Sequence, residues 1–475
     1  MKKKAIIVIG ILILLGTIIF TSYSYVQVKH WDSLILPTVK IENEDLTGMT
    51  KEEAQKLMMD KYSSQVIKKK IDIVTEEKKY TLDYSMLDAK YNINEAIEQA
   101  VSYGKDMNMF QRYKAIKSPI VTEIKLKFEY NENIVDELLA DIAKNTNKKP
   151  VNATITMVGS GKFSVTNDVI GRQLQQETLK KDIKSKINGV ISGDAISIVA
   201  PVSQVKPKVT TAALKTINTR ISSYSTNFAS SADGRVTNIG LSTKSINGTL
   251  LMPGEVFSFN GTVGERTAGR GYQSAGVIIG DKIEQGLGGG ICQVSSTLYN
   301  AILSTDIVSV ERTHHTISSG YIPKGQDATV DYGNLDYKFK NTYKYPIYIE
   351  GFVSNRNVYF SIYSNSTLTK RTYQIVSEIL EVTQPKTEII KDPTKYEGET
   401  EIVKTGYNGY KVKVSKKTYE NGKLINTQVV NKDTFNVING IVKVGTKKKA
   451  TITPVVPPVA PPVVPPVVPP VTVPQ

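Results

Sequence analysis

The chain has 475 residues, 60 lysines and arginines against 45 aspartates and glutamates, a formal net charge of +15 and one cysteine. That length exceeds what one hydrophobic core normally organises, so several domains are expected, and a single cysteine excludes an intramolecular disulfide. The basic residues are scattered rather than set in a stripe with interleaved aromatics, so nucleic acid is not an expected partner; anionic lipid or acidic wall polymers fit this charge better.

Residues 1–26 open with Met1-Lys2-Lys3-Lys4, followed by an uncharged, mostly apolar run from Ala5 to Phe20 that continues more weakly to Val26. The run is long enough to span a bilayer, and the lysines hold its start in the cytoplasm, which puts the bulk of the chain outside the cell. Tyr23 and Tyr25 stand where interfacial aromatic anchors stand, so the segment reads as an uncleaved single-pass anchor. A cleaved signal peptide is the competing reading; its apolar region would be shorter and end at small residues.

Two α+β units of similar size follow, 27–118 and 119–207. In the first, Thr50 stands three residues before Glu53, a capping box that opens a helix through Leu57 and Met58. Lys70 to Val74 and Lys79 to Leu82 read as a strand pair, and Ile93 to Val101 as a helix. In the second, Lys125 to Tyr130 reads as a strand, Ile134 to Ala143 as a helix, Ala153 to Val158 with Lys162 to Val165 as a hairpin, Leu179 to Ile187 as a helix and Ala195 to Val202 as a strand. Gly48-Met49-Thr50 with its helix, the strand pair, Asn92 and the Ala100 to Gly104 segment resemble the peptidoglycan-binding domain that often precedes L,D-transpeptidase or VanW domains. The competing reading is an α+β spacer that carries the next domain away from the membrane.

Residues 208–366 carry the most unusual sequence. Asn238-Ile239, Pro253 to Asn260, Gly264-Glu265-Arg266-Thr267, Gly271-Tyr272, Gly288 to Ala301, Glu311-Arg312, His315, Tyr321, Pro323, Asp327 to Val330, Asp336, Phe339 and Asn341 follow one another with little filler. In this order they resemble a VanW domain, a family named after an accessory protein of vancomycin-resistance gene clusters. The resemblance implies a Gram-positive cell-wall setting and no particular reaction.

Residues 378–447 alternate in short runs; Lys411 to Tyr419 and Lys423 to Val430 flank Glu420-Asn421-Gly422, where Asn-Gly supplies the positive φ angles of a tight hairpin. This antiparallel module resembles the G-five (G5) domain, an extracellular adhesive module whose members are thought to bind amino sugars; a β spacer without a ligand is the alternative. Residues 448–475 are largely Pro-Pro-Val repeats, which pack no core and extend as polyproline II over roughly 65 to 70 Å. With no sorting motif in it, this tail is expected to probe the wall or to bind a partner.

The chemistry centres on Gly288-Gly289-Gly290-Ile291-Cys292-Gln293. Three glycines suit a sharp turn and a close approach, while Val294, Leu298, Ala301 and Ile302 recur at helical spacing, which sets Cys292 in the first turn of a helix. There the helix dipole favours the thiolate. A small buried hydrophobe is the other reading of a lone cysteine. His314 and His315 point to opposite faces of a strand expected from Ile307 to Ile317, so at most one reaches the thiol, and His315 is the one in the VanW pattern. Asp327, opening a strand from Ala328 to Tyr332 after the Pro323-Lys324-Gly325 turn, is positioned to orient the imidazole, with Asp331 and Asp336 as rivals. Cysteine, histidine and aspartate in this order suit nucleophile, base and orienter. The Gln293 amide is a candidate oxyanion donor, Gly289 and Gly290 candidate walls of an acyl site, and Arg266 and Tyr272 candidate contacts for a substrate carboxylate. One cysteine and two adjacent histidines make a poor metal site, and no cofactor is expected.

Together these readings predict an α+β multidomain protein with an N-terminal transmembrane helix, peptidoglycan-binding-like units, an α+β VanW domain, a small all-β module and a proline-rich tail. The expected function is that of a membrane-anchored cell-surface protein that binds peptidoglycan in wall assembly, remodelling or glycopeptide tolerance. The alternative is a Cys-His-Asp peptidase or acyltransferase acting on peptidoglycan stem peptides.

Overall fold

The computed structural model describes residues 2–190, 196–279 and 282–449. Ala195, where a strand was expected to begin, and the proline-valine repeats from Pro454 lie outside them. The chain divides into two units, Met1–Ala153 with Asn167–Thr210, and Thr154–Thr166 with Thr211–Gln475.

In the first unit, helix Lys2–His30 runs unbroken, its N-terminal two-thirds exposed and its C-terminal end packed on the helix Met109–Lys117. Phe20 and Tyr23 meet the Tyr113 ring edge-on at 5.7 and 6.5 Å, and Arg112 pairs with Asp32 at 2.8 Å. The Thr50–Glu53 capping box forms as expected and starts helix Lys51–Met58, because each side chain satisfies a backbone N–H that the first turn leaves free. Strands Lys70–Val74 and Lys79–Asp83 pair antiparallel, also as expected.

The expected boundary near residue 118 does not separate two cores. Ile196–Val199 adds in parallel to Lys70–Val74, and Lys90–Tyr91 pairs with Phe128–Glu129. One core joins Ile35, Ile41, Met58, Ile93, Ile97 and Ile116; the other joins Ile71, Ile73, Tyr84 and Leu87 to Leu139, Ile142, Leu179 and Ile183. The strand expected over 125–130 is reduced to Phe128–Glu129, with a separate strand Thr122–Ile124 just before it, and Pro201 ends the expected 195–202 run after Ile196–Val199, a second strand following at Val202–Val205.

In the second unit, Thr219–Asn227, Asn357–Ser364, Ile347–Ser354 and Thr249–Leu251 form an antiparallel sheet in that order. Helices Asp233–Ile246 and Ile291–Leu303 pack on it. The hairpin Ile155–Gly159 with Lys162–Val165 belongs here rather than to the α+β unit in which its sequence lies: Phe163 wedges edge-on against Tyr348 and Tyr363 at 5.1 and 5.3 Å. A smaller sheet orders Val256–Ser258, Lys338–Lys340 and Val308–Glu311. The strand expected over Ile307–Ile317 therefore ends at Glu311, and the one expected over Ala328–Tyr332 is reduced to isolated bridges, Thr313 with Thr329 and Asp331 with Leu335.

The C-terminal part is all β. Arg371–Thr383, Gly409–Glu420 and Lys423–Phe435 make one sheet, and Thr387–Tyr396, Gly440–Lys447 and Thr400–Lys404 another. The Asn421-Gly422 turn has φ angles of 50° and 80°, the left-handed pair that a two-residue hairpin needs.

Candidate active site

The turn Gly288-Gly289-Gly290 is buried, and helix Ile291–Leu303 starts directly after it. Gly290 is the N-cap at φ 102°, a conformation that disfavours a side chain. A Cβ on Gly289 would lie 2.7 Å from the Gly276 carbonyl oxygen, so this glycine is demanded by close approach of the neighbouring strand. Buried Asn238 holds the turn by donating to the carbonyls of Gln273 and Gly289 at 2.9 and 3.0 Å. Both glycines thus serve packing of the turn. Residues 293–303 are buried all round, which is more than the single face that periodicity indicated, while Cys292 itself stays partly exposed.

Cys292, His315 and Asp327 come together. The His315 ring is the group whose proximity most lowers the Cys292 thiol, and the sulfur lies 3.5 Å from the Val330 carbonyl oxygen. His315 Nδ1 is 2.6 Å from Asp327 Oδ2, and the same oxygen accepts from the His315 amide at 2.7 Å. With Nδ1 taken, Nε2 is the nitrogen that serves Cys292. His315 is 4% exposed and Asp327 1%. Burial acts to lower the His315 pKa, but the Asp327 hydrogen bond and the cysteine outweigh it and raise it to about 10. Burial pushes the Cys292 thiol up; the hydrogen bond and charge of His315, helped by Arg266, overcome this and hold it below its ordinary value. Burial likewise raises Asp327, and His315 and Arg312 bring it below the usual carboxylate range. The contact between Cys292 and His315 therefore favours the thiolate–imidazolium form relative to an isolated thiol and imidazole.

Polar residues of the buried helix fix the segment that carries the aspartate. Ser295 Oγ donates to the Ala328 carbonyl at 2.5 Å, Ser296 Oγ accepts from the Ala328 amide at 3.0 Å, and Asn300 donates to the Gln326 carbonyl at 2.7 Å. From the other side Arg312 Nε donates to the Asp327 carbonyl at 2.7 Å and Nη2 lies 3.3 Å from its carboxylate. The same guanidinium pairs with Asp433 of the β module at 2.8 Å. The rival carboxylates are used elsewhere: Asp336 accepts from Ser258, the Asn260 amide and the Tyr337 amide, and Asp331 from Asn334.

Two of the expected substrate contacts have other work. The Gln293 amide donates to the Gly290 carbonyl at 3.0 Å, and its side chain is held by Arg235 at 2.7 Å and by Thr226 and Asn227, so neither end is free for an oxyanion. The Cys292 amide has no acceptor among the described residues, as first-turn amides lack one in the helix, and is the better-placed donor. Tyr272 is 4% exposed and sits in the core with its hydroxyl 3.4 Å from Ser242 Oγ. His314 faces away, edge-on to Phe435 at 5.2 Å. Arg235 and the support role of Arg312 escaped the sequence, because isolated arginines carry no spacing signal; Tyr321, whose buried hydroxyl is held neutral by burial and by the nearby cysteine, was visible there only as part of the motif run.

A glycine turn, a buried cysteine helix and an abutting histidine-aspartate segment define a VanW-type domain. The VanW like protein family model matches residues 234–363, a peptidoglycan binding domain model residues 80–195 and a G5 domain model residues 375–447. The peptidoglycan-binding match begins later than the 48–104 segment that carried the resemblance, and covers most of the second expected unit. The chain belongs to the VanW family, and its domains are those of a cell-wall-associated protein. It is 36% identical over 229 residues to the uncharacterized protein YoaR of Bacillus subtilis (strain 168), covering 48% of this chain and 73% of that protein. It is 32% identical over 114 residues to the vancomycin B-type resistance protein VanW of Enterococcus faecalis (strain ATCC 700802 / V583), covering 23% of this chain and 42% of that protein. An IgA1 protease G5 domain structure is 25% identical over 17% of this chain and 95% of that one, with a TM-score of 0.13.

Proposed function

We propose that the protein is a single-pass, membrane-anchored enzyme of the cell surface that holds peptidoglycan through residues 27–207 and performs thiol acyl transfer or hydrolysis on wall peptides at Cys292. The observation that carries this reading is the buried His315–Asp327 pair, 2.6 Å apart, next to a half-buried cysteine at a helix start. An uncleaved anchor is supported by the continuity of helix Lys2–His30, whose last turns pack on Met109–Lys117.

In this reaction the Cys292 thiolate attacks an amide carbonyl carbon, forming the C–S bond while the Cys292 amide donates to the developing oxyanion. Collapse breaks the C–N bond, and His315 Nε2 gives its proton to the departing amine. Water or a second amine then attacks the thioester, loses its proton to His315 Nε2 and expels the thiolate. Asp327 holds the ring in orientation throughout and stabilises its charged form.

Because Cys292 is the sole cysteine, alkylation of the detergent-solubilised full chain reads this thiol alone. Wild type should remain reactive to lower pH than a free thiol. In His315→Ala the thiol loses its counter-charge, so the pH at which labelling falls off should move up to that of a free thiol or beyond, with a slower rate at pH 7. A wild-type pH profile like that of a free thiol, unchanged by His315→Ala, would refute the enzyme reading and leave a binding protein. Incubation with defined muropeptides, followed by mass spectrometry for a thioester on Cys292, then identifies the acyl donor.

A further inference from the structure

The Arg266 guanidinium is near enough to the Cys292 thiol for its charge to act on it. Its side chain packs over the glycine turn: a Cβ on Gly288, at φ 86°, would come within 3.2 Å of Arg266 Cβ and Cγ. The guanidinium centre is 5.7 Å from the Phe259 ring and 5.6 Å from the Tyr332 ring. Both terminal nitrogens, Nη1 and Nη2, are buried, and neither has a hydrogen-bond partner among the described residues. The nearby acids do not fill this role. Asp336 is spent on Ser258 and two backbone amides, and Asp331 on Asn334.

A buried, permanently charged fork left without an acceptor is costly to a fold that gains nothing from it. Arg235, the other arginine of the site, is by contrast engaged, with Ser231 at 3.1 Å and Gln293 at 2.7 Å. Two parallel N–H donors in one plane match the two oxygens of a carboxylate. Of the two rings that flank the guanidinium, Phe259 is fully buried, whereas Tyr332, on the turn Asp331–Asn334, is 49% exposed.

We propose that Arg266 is a carboxylate-binding residue of the active site, so that the thiol acts on acyl compounds bearing a free carboxylate next to the bond attacked, as at the C-terminus of a peptide. This rests on the thiol reading above and names its substrate class. The anion is held by the arginine fork while the carbonyl one residue away meets the Cys292 sulfur, which would favour removal or exchange of a terminal residue over cleavage within a chain.

The test compares alkylation of full-length protein by iodoacetate, which carries a carboxylate, and by iodoacetamide, which does not. Both rates scale with the same thiolate fraction, so their ratio at one pH is free of any change in thiol acidity. Arg266→Gln is expected to lower the iodoacetate to iodoacetamide ratio roughly tenfold, with Arg266→Lys, which keeps the charge but not the fork, between the two. On the wild type, acetate and N-acetylalanine should slow iodoacetamide labelling, and chloride at equal ionic strength should not. An unchanged ratio in a folded Arg266→Gln protein, or equal effects of acetate and chloride should that variant not fold, overturns the proposal. If the thiol is still acidic in that case, the thiol reading stands and only the carboxylate site falls.

Discussion

Asp433→Ala should destabilise the second unit and also blunt the thiol, although residue 433 lies in the β module. Asp433 is 5% exposed and receives Arg312 Nη1 and Nη2 at 2.9 and 2.8 Å, while the Arg312 side chain is 10% exposed. Removing one partner of so buried a pair costs about 3–5 kcal/mol. Arg312 would then turn wholly to Asp327 and compete with His315 for it, so the His315 pKa falls and the Cys292 thiol rises toward its ordinary value. The assay is urea unfolding followed by near-ultraviolet circular dichroism of the tyrosines, because the one tryptophan, Trp31, lies in the other unit, paired with the iodoacetamide pH profile. Replacing both partners by apolar residues, Arg312→Met with Asp433→Leu, should restore much of the stability without restoring the acidity. Asp433→Ala within about 1 kcal/mol of wild type and with an unaltered thiol profile would refute the reasoning.

Gly290→Ala should destabilise the protein and weaken labelling of Cys292, since its φ is 102° and the added Cβ would meet Arg235 Cγ at 2.9 Å and Ile239 Cγ1 at 3.0 Å; a melting curve checks it. His315, raised from 6.5 to about 10 by folding, contributes stability that is complete below pH 6.5 and disappears as pH rises through 10. The difference in unfolding free energy between wild type and His315→Gln should therefore shrink between pH 7 and 11, and a difference that grows over that range would contradict the sign. External protease on wall-stripped cells should digest everything beyond about Val26, and protection of residues 208–366 would exclude the proposed topology. A protein lacking residues 27–207 should pull down with peptidoglycan sacculi less well than the intact chain, and equal recovery would reduce that region to a spacer.

What the sequence determined by itself is local. The Thr50–Glu53 capping box, the Asn421-Gly422 hairpin and the thiol at a helix start each depend on residues within a few positions, where backbone sterics and first-turn hydrogen bonds act without help from the rest of the chain. The order of cysteine, histidine and aspartate was also legible; His315 and His314 do point apart, but outside the strand whose alternation was expected to separate them, since that strand ends at Glu311. Partners chosen over long separations were not. Ile196–Val199 joins Lys70–Val74, Phe163 docks on Tyr348 and Tyr363, and Arg312 reaches Asp433, because apolar strands and lone charges accept many partners and only the packed fold selects one. The division of labour inside the site was decided the same way. Gln293 and Tyr272 look polar and available in the sequence, yet most buried polar atoms find partners where the fold puts them, and the fold gives Gln293 to Arg235 and Tyr272 to the core, while the Arg266 fork has no hydrogen-bond partner among the described residues.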